Sequence, residues 1–133
     1  MNSNYSHLKQ MDFLLDDSGV EKEFQQILKL IKSRKNGDVA TSMKEHGIKY
    51  KLNWGVSVVE LREIARSYEP NHLLALKLWN KQWRETMILA TLLDEPDEVT
   101  EEQMDFWTKS IENSEMAEQA SANLWVRTKF AFT

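Results

Sequence analysis

Residues 82–93 constrain the fold more than any other stretch. Trp83, Met87, Ile88, Ala90, Leu92 and Leu93 go most of the way round a helix. A surface helix shows one apolar stripe, and this one shows nearly all faces apolar, so it is expected to be a buried central helix. The flanking segments read as further helices. Residues 72–81 place Leu73, Leu74, Leu76, Leu78 and Trp79 over a wide face, and almost no break separates them from the central helix. On the other side Asp94-Glu95-Pro96-Asp97 marks a turn.

The rest of the chain follows the same period. Residues 6–16 form a weaker first helix through Leu8, Met11, Leu14 and Leu15, and Asp16 to Gly19 breaks it. Val20, Phe24, Ile27, Leu28 and Ile31 then give a clean helical face. Glu21 and Glu23 sit at the end of that helix where acids are favoured, and Lys32, Arg34 and Lys35 at the end where bases are. After the Asn36-Gly37 turn, Asp38 is expected to cap a short helix carrying Val39, Ala40 and Met43, which Gly47 stops. Thr100 and Gln103 form a capping box ahead of Met104, Trp107 and Ile111. Asn113 or Ser114 caps the last helix, expected from residue 115 to about 128, with Ala117, Ala120, Ser121 and Leu124 inward.

Between the first and second helical arrays lies a short aromatic crossover. Residues 50–55 read as extended or irregular, and Ser57 with Glu60 supplies a capping box for the helix bearing Leu61, Ile64, Ala65 and Tyr68. No strand-period segment exceeds a few residues. The fold class is therefore all-α, with stacked antiparallel helix pairs suggesting an α-solenoid of the HEAT kind. Two prolines and four glycines in 133 residues agree with helices rather than a turn-rich β fold.

Composition limits function in a few ways. Without cysteine there are no disulfides, cysteine zinc sites or cysteine nucleophiles, and a reducing cytoplasm fits. No apolar run approaches the length of a membrane span, so no membrane role is expected. His7, His46 and His72 are far apart with no carboxylate at ligand spacing, so neither a metal nor another cofactor is expected. No phosphate-binding or dinucleotide glycine motif occurs, and Ser57 lacks the second glycine and any nearby histidine of a nucleophile elbow.

Charge is uneven. The net charge is −4, yet Lys32, Arg34, Lys35, Lys44, Lys49 and Lys51 face only Asp38 and Glu45 within residues 32–51. Within residues 94–118, ten acids face Lys109 alone. The basic strip can meet phosphates, and the acidic half would repel them unless it faces away. Each run is also an ordinary solvated helix surface. Of the five tryptophans, Trp54 stands in the crossover and is the one expected to face a groove. Glu115 and Glu118 lie at i, i+3 on one helix side, a spacing open to a site or to an exposed face.

Several blocks in order carry a resemblance. The run NWGVSVVELREIA (residues 53–65), LALKLW (residues 74–79), R-E-x-x-x-L-A from Arg84 to Ala90 and VTEEQMDFW (residues 99–107) resemble the DNA alkylation repair enzyme family, the AlkD-like glycosylases with HEAT-like repeats. NGDVATSMKEHG ahead of the crossover fits too, and the similarity runs from about residue 20 to the C-terminus. This resemblance implies one helical-repeat domain over residues 1–133, with a variable N-terminal helix over 1–19 and family-like repeats over 20–133. It further implies a right-handed superhelix whose concave basic face grips duplex DNA. The family's reaction is removal of N3- or N7-alkylated purines by cleavage of the N-glycosidic bond. The cationic base is a good leaving group, so the enzyme mainly stabilises an oxocarbenium-like sugar and positions water, and an aspartate among aromatic faces does both.

This chain departs from the family at that site. The family block S-W-D-L-x-D-Q is matched by residues 113–119, where Ser114 stands in place of the tryptophan and Glu118 in place of the catalytic aspartate. The chain also ends at WVRTKFAFT, where relatives continue through helices bearing a cleft arginine and another aromatic, which leaves Phe130 and Phe132 uncovered. The expectation is an N-terminal part of the family protein with degenerate catalysis. Weak, backbone-mediated DNA binding would run through Lys44, Lys49, Lys51, Trp54, Arg84 and Arg127. A homodimer through the uncovered last helix is expected too. The alternative is a non-catalytic protein-interaction scaffold working through its acidic helices.

Overall fold

In the computed structural model, which describes residues 17–130, the chain is all-helical. The first weak helix, His7 and Phe132 lie outside the described residues. The elements are α1 (Ser18–Ser33), α2 (Gly37–Glu45), α3 (Val58–Arg66), α4 (His72–Lys81), α5 (Arg84–Leu93), α6 (Glu101–Lys109) and α7 (Ser114–Asn123). Two short 3₁₀ turns follow α5 and α7, at Pro96–Glu98 and Trp125–Arg127.

The central helix is where periodicity puts it. Every residue of α5 except Leu92 is buried. It forms an antiparallel hairpin with α4 through Gln82 and Trp83 alone, with Gln82 at φ 64°. The far ends of the hairpin meet where the Asn71 N–H donates to the Leu93 carbonyl at 2.8 Å. Helices α3 and α7 also pack on α5, and α1 lies on α4 and α3. The core joins Phe24, Ile27 and Ile31 of α1 to Leu61, Leu74, Leu78, Ile88 and Leu89. Each such side chain, once fully buried, contributes roughly 1.5–3 kcal/mol. Trp79 and Trp107 stack coplanar at 4.2 Å and tie α6 to the hairpin.

Local chemistry corrects four expectations. Asn36, not Asp38, caps α2, because its Oδ1 accepts from the Val39 N–H at 3.1 Å and leaves Asp38 in the first turn. No residue of α2 is buried, so Val39, Ala40 and Met43 do not form a core face. At α6 only half of the capping box forms. Thr100 accepts from the Gln103 N–H, but the Gln103 side chain donates instead to Asp94 at 2.7 Å. Helix α7 ends at Asn123, and its buried side is Met116, Ala120 and, past its end, Leu124, while Ala117 and Ser121 are exposed.

Asp94 explains where Gln103 goes. It is 1% exposed at the end of α5, and its carboxylate also accepts from His72 Nδ1 at 2.6 Å and from the Glu95 N–H at 2.8 Å. The hydrogen bond to Asp94 raises the His72 pKa above its ordinary 6.5, against an opposing contribution from burial. The raised value sets a sign: the charged pair stabilises the fold fully below the unfolded pKa and is lost as pH climbs through the folded one. Urea titrations of the parent and of His72→Gln should differ most below the ordinary histidine pKa and draw together as pH rises above it. A gap that widened with pH would contradict the pairing.

Candidate nucleic-acid interface

The crossover carries the site. Gly47, at φ +82°, ends α2 and leads the chain into the irregular segment 49–56. Tyr50 turns inward, while Lys49 and Lys51 are exposed on either side of it. Leu52 pairs as a single parallel bridge with Trp83, and its carbonyl accepts the Arg84 N–H at 2.9 Å. Between this segment and α2 runs a groove of about 390 Å³ lined by Lys44, Lys49, Lys51, Tyr50, Ile48 and Asn53, among others. Three lysines thus line one concavity.

Beneath the segment lies a clamp of charged residues. Glu85, fully buried, accepts the Trp54 N–H at 3.1 Å on one oxygen and the Val56 N–H at 3.2 Å on the other. Arg84 donates to the Val56 carbonyl at 2.6 Å and to Glu85 at 2.9 Å. Its remaining edge grips Glu115 of α7 in bidentate fashion, at 2.9 and 3.0 Å. Burial opposes charge on Glu115, but Arg84 and the Tyr50 hydroxyl outweigh it and hold its pKa below the ordinary value. Tyr50 donates to the same carboxylate at 2.5 Å, and burial together with that carboxylate pushes its pKa far up, so it stays protonated. Burial also opposes charge on Arg84, and its two carboxylate partners restore it.

The residues singled out from sequence separate into several groups. Lys44, Lys49 and Lys51 share the groove. Arg84 does not join them. It is 3% exposed and donates four hydrogen bonds within the protein, so it is not presented to a phosphate. Trp54 does not line the groove either. It is half-buried, edge-on against Trp83 at 5.2 Å, with the Lys32 ammonium 6.0 Å from its ring. Arg127 is exposed in the 3₁₀ turn after α7, where its Nε donates to the Asn123 carbonyl at 2.8 Å. Ser114 and Glu118 are exposed one turn apart on α7. The start of that helix does touch the lysine segment, because Asn113 donates to the Lys49 carbonyl at 2.8 Å.

Glu85, Glu115 and Tyr50 escaped notice as a unit. The available signal was an Arg-Glu pair opening a helix that is otherwise apolar all round, since buried charges require partners. Among the described residues no group of three or more His, Asp or Glu could hold a metal ion, and no helix is long and apolar enough to cross a membrane.

An all-α protein with a lysine-lined groove over a buried ionic clamp is the class that this geometry defines. The family model for DNA alkylation repair enzymes matches residues 27–128, and the chain belongs to that family. The match begins within α1 and ends just past the last 3₁₀ turn, so it covers the clamp, the groove and α7. Searches of curated proteins and of solved structures return no significant match.

Proposed function

We propose that this chain is a cytoplasmic DNA alkylation repair protein of the HEAT-like glycosylase type that holds duplex DNA by its phosphates and is degenerate in base excision. The convergence of Lys44, Lys49 and Lys51 on one groove carries this reading. Each lysine that neutralises a phosphate releases condensed counterions, so three contacts give a log–log salt slope of about −2.7. The antiparallel α4–α5 hairpin, with α3 and α7 alongside, supports the stacked-pair solenoid that such binding needs. On the chemical side, Ser114 supplies no aromatic wall, and Glu118 carries its charge one methylene further out than an aspartate. Misplacement of about 1 Å costs roughly 10²-fold in rate.

Fluorescence anisotropy on a short duplex tests the binding half. Affinity should fall about 40-fold between about 50 and 200 mM salt. Replacing Lys44, Lys49 and Lys51 together by glutamine should flatten that slope to near zero. No binding by the parent at low salt would sink the proposal. Release of N7-methylguanine from methylated duplex tests the chemical half: a rate well above spontaneous depurination would show that Glu118 suffices.

A second reading, a non-catalytic interaction scaffold, is favoured by one observation. Phe106 is 64% exposed on α6, beside the exposed acids Glu102 and Asp105. Self-association through the C-terminal end belongs to the proposal as well. Leu124 is buried and Trp125 rests against Trp107 at 5.9 Å, but Val126 remains 54% exposed. Sedimentation showing only monomer at high concentration would remove the dimer.

A further inference from the structure

We propose that Tyr50 is a positioning residue for the lysine groove: its inward hydroxyl, bonded to Glu115, pins the segment that carries Lys49 and Lys51 to α7. The three residues are consecutive, and Tyr50 is half-buried while Lys49 and Lys51 are exposed. Fixing the middle side chain fixes where both neighbours leave the surface. The anchor is short, at 2.5 Å, and its acceptor is itself held on both oxygens by Arg84. A second tie, from Asn113 to the Lys49 carbonyl at 2.8 Å, joins the same segment to the same helix. Tyr50 also lines the groove, so nothing intervenes between the anchor and the site.

The physical consequence is a reduction in the cost of binding. A lysine on a free loop must be ordered as it meets a phosphate, and that ordering subtracts from affinity. Holding the segment in advance lets two ammonium groups engage one backbone together. Glu115 therefore acts on DNA only through Tyr50, and α7 contributes to the groove without touching the ligand. The DNA half of this inference rests on the reading proposed above, and the anchoring half does not.

Tyr50→Phe is the test, because it keeps the ring and leaves the Arg84–Glu115 pair intact. Two readouts are needed. Trypsin cleavage after Lys49 and Lys51, measured without DNA on protein verified as folded by circular dichroism, should accelerate about fivefold, the equivalent of one net buried hydrogen bond. Duplex affinity should fall by a similar factor of about five, with a shallower salt slope. The same change made in a Lys49→Gln, Lys51→Gln background should leave the residual affinity unaltered. Unchanged cleavage would overturn the anchor whatever the DNA result. Faster cleavage with an equal affinity loss in both backgrounds would overturn positioning of the lysines. A parent that fails to bind DNA would overturn the DNA reading, and cleavage would still decide the anchor.

Discussion

Replacing Glu85 by alanine is expected to cost about 3–5 kcal/mol of folding free energy, the range for removing one partner of a buried ion pair. The whole stability of a domain is only about 5–15 kcal/mol, so the variant should lose a large fraction of it. Three donors lose their acceptor at once: the Trp54 N–H, the Val56 N–H and one of the two N–H groups on an Arg84 nitrogen that still bonds the Val56 carbonyl. An unpartnered buried donor costs roughly 1–3 kcal/mol by itself. Glu85→Gln should be milder, since it keeps the volume and one acceptor oxygen. The unfolding midpoint in urea measures both, and a loss below about 1 kcal/mol for the alanine variant would show that the clamp contributes little.

Gly55→Ala is expected to be the most damaging single-methyl change in the chain. The residue sits at φ +74°, and a Cβ there would lie 2.0 Å from the Asn36 carbonyl oxygen and 3.0 Å from the Ala40 nitrogen. Both are backbone atoms at the start of α2, so no side chain can swing aside. Relief requires α2 to move away from the crossover, and α2 carries Lys44. Left-handed strain alone accounts for about 1–2 kcal/mol, and the collision adds to it. Gly47→Ala provides the control. Its φ is +82°, but its Cβ would meet nothing within 4 Å, so it should show the strain without the collision. Thermal melts should place Gly55→Ala well below Gly47→Ala, and equal losses would mean that α2 yields freely. Duplex affinity should drop for Gly55→Ala only, measured at a temperature where both variants remain folded.

What the sequence disclosed follows from how local each signal is. The all-round apolar α5, the clean face of α1, the stop at Gly47 and the Ser57 cap rest on residues within a turn of one another, and each appears as expected. Misplacements arose where two partners of similar chemistry compete. Asn36 wins the α2 cap from Asp38 because its backbone is extended there, and Asp94 draws the Gln103 amide away from its own helix. Arg84 misled for a different reason. An arginine on a buried helix and an arginine at a phosphate look alike until the partners Glu85 and Glu115 are known, and Glu115 lies 31 residues away. The lysine groove was half legible: three lysines close in sequence suggested a strip, but only the folded crossover shows that Lys44 of α2 faces Lys49 and Lys51.

The clamp has an evolutionary consequence. Glu85 and Arg84 grip the crossover by its main chain, at the Trp54 and Val56 N–H groups and the Leu52 and Val56 carbonyls. Every residue type except proline presents those same groups. The path of the segment is therefore specified by α5, while most of its side chains are left free to drift. Substitutions at Lys49, Lys51 and Leu52 can rewrite the chemistry of the groove without endangering the fold, so a lineage that abandons one ligand could acquire another on an unchanged scaffold. A randomised library at those three positions should consequently yield mostly folded proteins with widely different surface charge.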